Sequence, residues 1–160
     1  MKRLLVFASV FALSLVGSGL LLAQTDSSIG TWKLNVAKSK YSPGPPTKSQ
    51  MRTVEAQGAG VKVSVEGVAA DGSRVAYSYT TNYDGKDSPY TGVGTPSGAD
   101  TVAIKRIDAN TVTYTGNKAG KVVQTGKAVV SKDGKVMTFT TKGTNAQGQP
   151  TNNVTVYEKQ

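Results

Sequence analysis

The sequence predicts an all-β fold, a single antiparallel up-and-down barrel of about 8–10 strands preceded by a signal-peptide helix. Three observations lead there. After residue 23, short runs alternate between apolar and polar side chains, and none keeps the period of a helix. Most of these runs are joined by links of two to five residues rich in Gly, Asp and Asn, so chain neighbours are expected to pair as antiparallel hairpins. The only tryptophan stands in the first of them, Ile29-Gly30-Thr31-Trp32-Lys33-Leu34. Alternation places Gly30, Trp32 and Leu34 on one face there. A large ring beside a residue without Cβ suits the floor of a barrel, where the first strand meets the last and another backbone comes close. A two-sheet sandwich is the competing all-β arrangement.

Ahead of this run, Lys2-Arg3 leads into an apolar stretch over 4–22, broken by Gly17-Ser18-Gly19 and followed by Ala23 and the polar Gln24-Thr25-Asp26. That pattern is read as a secretory signal peptide over residues 1–23, cut after Ala23, with one barrel domain over 24–160. An uncleaved membrane anchor is the alternative, because the stretch is long enough to span as a helix. With cleavage, no stable membrane anchor is expected, and the absence of Cys excludes lipid attachment through one. The 137 residues from Gln24 onward suffice for a single core without staples, and a monomer is expected. An exported chain without disulfides points to the periplasm or the extracellular space of a bacterium.

After the first run, residues 35–49 turn irregular, since Pro43, Pro45 and Pro46 remove backbone donors and cannot hold a ladder. This segment is expected either to cover one mouth of the barrel or to be an ordinary surface connection. Strands follow over 51–57 and 61–66, the second with Val61, Val63 and Val65 alternating against Lys62, Ser64 and Glu66. Asp71-Gly72 turns into a strand over 73–84, on which Val75, Tyr77, Tyr79, Thr81 and Tyr83 share a face. Asp84-Gly85-Lys86 is expected to turn into a short strand over 88–92. A Gly- and Pro-rich loop over 93–98 precedes strands over 101–107, 111–116, 122–131, 136–142 and 153–159. The unequal spacing of the Asp-Gly turns excludes a repeat array.

Losing Lys2 and Arg3 with the leader lowers the formal net charge from +9 to +7, supplied mostly by lysines scattered along the chain. Scattered Lys on outward strand faces keeps a β-protein soluble and guards its edges. A nucleic-acid surface needs clustered Arg and interleaved aromatic residues, so no nucleic-acid partner is expected.

Gly30-Thr31-Trp32 near the start and Val156-Tyr157-Glu158-Lys159 at the end resemble the calycins, the lipocalin and fatty-acid-binding-protein superfamily. The Asp133-Gly134-Lys135-Val136-Met137-Thr138 hairpin is similar to the penultimate turn of the fatty-acid-binding branch. The string as a whole, including residues 34–46 and Tyr83-Asp84-Gly85-Lys86, also resembles a group of exported bacterial proteins without an assigned function. The resemblance implies a closed barrel with an interior ligand and a Tyr on the last strand, here Tyr157, directed at the ligand head group. It also implies an Arg two residues earlier, where this chain has Thr155; Lys127 stands near the second basic position of that family but out of register.

With no His and no Cys, nucleophilic triads and His- or thiolate-ligated zinc are absent, and neither a metal nor a cofactor is expected. Asp71, Asp84, Asp108 and Asp133 serve turns, and no remaining carboxylate pair can be set at the spacing of a glycosidase, so the chain is not read as an enzyme. The aromatic residues carry more. Tyr77, Tyr79, Tyr114, Phe139 and Tyr157 are the candidate ligand-binding set, able to fill the barrel as core or to wall a cavity with hydroxyls. The expected function is binding of a small apolar or amphipathic ligand inside an exported barrel. The alternative is a filled barrel acting on envelope partners through its basic surface and proline-rich loop. On the last strand the faces are ambiguous, because Val154 and Val156 oppose Thr155 and Tyr157.

Overall fold

The computed structural model describes residues 26–145 and 148–160, so the signal peptide expected over residues 1–23 lies outside the described residues. The described chain is all-β, with no α-helix and two single-turn 3-10 helices at Val36–Lys38 and Pro96–Gly98. Eleven strands form one antiparallel sheet: β1 (Gly30–Leu34), β2 (Ser49–Gln57), β3 (Gly60–Val68), β4 (Arg74–Thr81), β5 (Asp84–Pro89), β6 (Thr91–Val93), β7 (Thr101–Arg106), β8 (Thr111–Lys118), β9 (Lys121–Val130), β10 (Val136–Thr144) and β11 (Pro150–Lys159). Their order is β5-β7-β8-β9-β10-β11-β1-β2-β3-β4-β6.

The first strand does meet the last: Trp32 opposes Lys159 and Leu34 opposes Tyr157. From β2 to β4 and from β7 to β11 each strand pairs with its chain neighbour, as hairpin links require. The exception is the segment from Asp84 to Val93. Asp84-Gly85-Lys86 does not form a hairpin; Asp84 opens β5, which pairs with β7, while β6 returns to β4. The expected strand over 88–92 is therefore split in two. The sheet's two edges, β5 and β6, are consecutive pieces of one segment joined through Tyr90, and the barrel is nearly closed. Tyr90 is held at this seam by its amide, which donates to the Asp100 carbonyl at 2.9 Å.

Alternation sets the interior. Val61, Val63 and Val65 on β3, with Val75, Tyr77, Tyr79 and Thr81 on β4, are all buried. Trp32 is 0% exposed, and its Nε1 donates to the Ser28 carbonyl at 2.8 Å, which closes the floor around the indole. What approaches Gly30 is the Lys159 side chain, not the backbone that sequence reasoning expected: a Cβ at Gly30, whose φ is +133°, would lie 2.6 Å from Lys159 Cε. Asp71 and Asp133 serve their turns as expected, each carboxylate accepting from the amide two residues on, whereas Asp84 accepts from the Lys86 amide from within β5.

Candidate functional site

The inward faces of β2–β4 and β7–β11 surround a cavity of about 520 Å³. Tyr41, Pro43, Pro45 and Thr47 line it as well, so the irregular segment after β1 stands at the mouth. That segment is tied to the barrel by β-type bonds between Lys40 and Val154 and by the Asn152 amide donating to the Ser42 carbonyl at 2.7 Å.

All five sequence-chosen residues, Tyr77, Tyr79, Tyr114, Phe139 and Tyr157, line this one cavity. The ambiguity on the last strand is resolved by register. Tyr157 opposes Leu34 and Met137, both buried, and Thr155 opposes Phe139, so these two face inward and Val154 and Val156 face outward. The rings form an edge-to-face wall: Tyr114 to Phe139 at 6.0 Å, Phe139 to Tyr157 at 5.5 Å, and Tyr90 to both Tyr77 and Tyr79 at 5.3 Å.

Their hydroxyls are partly committed. Tyr157 donates to the Gln50 side-chain oxygen, and Tyr114 shares a proton contact with the Thr141 hydroxyl. Burial pushes the phenols of Tyr114 and Tyr157 up to about 12, and lifts Tyr77 and Tyr90 further, because the phenolate cannot be solvated among the strands.

Sequence reasoning missed Arg52. It lies on β2 opposite Trp32, is only 8% exposed, and points into the cavity. Its Nη1 donates to the Tyr79 hydroxyl at 3.2 Å, and its guanidinium carbon sits 4.8 Å from the Phe139 centroid and 5.9 Å from that of Tyr157. On β2 the faces Gln50-Arg52-Val54 and Met51-Thr53-Glu55 are equally mixed, so alternation alone offered no choice between them. Lys127, considered as a basic partner, is exposed. Tyr90 was missed too, hidden in a segment whose strands follow no clean alternation.

At the floor stands a second polar group. Asp26 accepts from the Ser28 amide at 2.9 Å and hydroxyl at 2.7 Å and pairs with Arg106, whose guanidinium carbon is 3.9 Å from the Tyr83 ring centroid. Burial opposes ionisation of Asp26, but the Ser28 hydroxyl and amide, the Tyr83 hydroxyl and Arg106 outweigh it and hold its carboxyl below the usual range. Among the residues lining the cavity Asp26 is the single carboxylate.

No protein-family model matches the chain, and no curated protein sequence matches it.

Proposed function

We propose that this protein is an exported, calycin-like binding barrel that holds a small apolar or amphipathic molecule in its interior and carries out no chemistry on it. The observation that carries this reading is the cavity of about 520 Å³, a size within the range of small-molecule sites. Its wall is aromatic and aliphatic, and its few polar groups converge from Arg52, Gln50 and the tyrosines. The mouth segment supports an interior site over an exterior one, since Tyr41, Pro43 and Pro45 line the cavity.

Native mass spectrometry of protein purified from its own host is the direct test, with a co-purifying small molecule as the expected result. A neutral environment-sensitive dye separates the interior reading from a polyanion-binding exterior. Its affinity should barely change as salt rises, because no surface charge is screened in forming the complex. Absence of any dye binding, together with binding of a polyanion that collapses in salt, would overturn the interior reading.

A further inference from the structure

The uncharged end of the cavity says which head group the barrel takes, and this step rests on the reading of the barrel as a binding chamber. Tyrosines aside, the polar residues more than nine-tenths buried among the described residues are Arg52, Thr81 and Gln124. Arg52 donates to the Tyr79 hydroxyl, and the Thr81 hydroxyl accepts from the Tyr83 amide at 3.1 Å. Gln124 lines the cavity, is 5% exposed, and has no hydrogen-bond partner for its side-chain amide. A buried amide left unmatched is costly.

The strands around Gln124 leave it room. It sits on β9 between Gly116 of β8 and Gly143 of β10. Neither glycine has a positive φ, so backbone conformation does not demand them. A Cβ at Gly116 would lie 2.7 Å from Gln124 Cγ and 2.9 Å from Nε2, and one at Gly143 would lie 3.0 Å from Gln124 Cβ. Glycine inside a strand weakens it and marks a place of close approach. Here the missing side chains let the amide lie along the cavity wall.

Charge is absent from this end. Of the lining residues only Asp26, Arg52 and Arg106 are charged. Asp26 and Arg106 pair at the floor. The Arg52 guanidinium lies over Phe139, whose place on β10 is about 13 Å from Gly143 at the rise of a strand. We infer that Gln124 reads the head of the ligand, and that this head is an uncharged carboxamide on an apolar body. Its N–H would donate to Gln124 Oε1 and its carbonyl accept from Nε2. An ester or an alcohol matches only part of that edge. A carboxylate has no donor for Oε1 and would bring an unmatched charge to an uncharged wall.

The experiment compares head groups on one tail: octanamide, methyl octanoate, octanol and octanoate, each displacing the neutral dye from the native protein, Gln124→Met and Gly116→Ala. The native protein should bind octanamide at least about fivefold more tightly than the ester or the alcohol, the contribution of one further neutral hydrogen bond. Gln124→Met keeps an unbranched side chain without the amide, so it should hold the dye while that ratio falls to near one. Gly116→Ala should lower the ratio too, because the added Cβ displaces the amide. A nuclear Overhauser contact between the side-chain amide protons of Gln124 and those of bound octanamide is expected in the native protein and needs no variant.

If the dye binds but amide, ester and alcohol compete alike, Gln124 reads no head group, and the interior reading survives. Tighter binding of octanoate than of octanamide overturns the uncharged assignment, and an amide preference untouched in Gln124→Met overturns the role of Gln124. If neither the dye nor octanamide binds, both readings fail. The native comparison and the Overhauser contact decide the matter even if no variant folds.

Discussion

Arg106 Nη2 lies 2.5 Å from Asp26 Oδ2, joining the segment ahead of the first strand to β7 across 80 residues of chain. The pair, with Ser28 and Tyr83 around it, latches the floor of the barrel beside the buried Trp32. Its strength should depend on pH. The Asp26 carboxyl is held below its usual value in the folded protein, so its contribution is complete above about pH 4 to 5 and is lost as pH falls through the lower folded value. Asp26→Asn should cost about 1–3 kcal/mol at neutral pH, the penalty for leaving a partly buried charged partner unmatched. Thermal unfolding followed from about pH 6 to about pH 2 should show the gap to the native protein closing in acid; a gap that stayed constant would dissociate Asp26 from the latch.

Trp32→Ala should destabilise the protein by about 3–5 kcal/mol, because it empties a fully buried site. Trp32→Phe keeps most of the ring and removes the bond to the Ser28 carbonyl, so its loss should be smaller. Urea unfolding monitored by circular dichroism measures both, and the native indole should emit in the blue. A loss under about 1 kcal/mol for the alanine variant would contradict its place at the floor.

Alkaline titration offers a view of the cavity wall. Tyr41, Tyr77, Tyr83, Tyr90, Tyr114 and Tyr157 are all raised above the ordinary phenol value, first by burial. Stability from these groups is complete below about pH 10 and is lost as pH rises through their folded values. The tyrosinate absorbance of the folded protein should therefore lag that of the urea-unfolded chain by one pH unit or more for most of the seven tyrosines. Coincident curves would mean that these hydroxyls reach solvent.

The seam can be tested at Gly92, whose φ is +117° and where a Cβ would lie 2.1 Å from the Ala76 carbonyl oxygen. Gly92→Ala should push β6 away from β4 and cost at least about 1–3 kcal/mol for the strained backbone. Hydrogen exchange should accelerate at Thr91–Val93 and at 76–78 before it does elsewhere. Uniform acceleration would mean that the seam opens only with the whole barrel.

Much of the fold was legible because alternation is local. Val61, Val63 and Val65 on β3 and Val75, Tyr77 and Tyr79 on β4 declare an inner face within a few residues, and Asp-Gly pairs at 71 and 133 end strands by chemistry contained in the turn itself. The same periodicity brought Tyr77, Tyr79, Tyr114 and Phe139 correctly onto inward faces.

Only the tertiary structure could decide the rest. On β2 and β11 both faces are mixed, and the choice was made by register against Trp32, Leu34 and Met137, residues distant in sequence. That choice turned Arg52 and Tyr157 inward. The split of residues 84–93 between β7 and β4 likewise follows from how the two sheet edges meet, which no window of local sequence contains. The sequence by itself determined strands, turns and a buried tryptophan, since these depend on neighbours two to four residues away. The buried cation and the seam depend on which strands face each other across the nearly closed barrel, so the tertiary structure alone settled them.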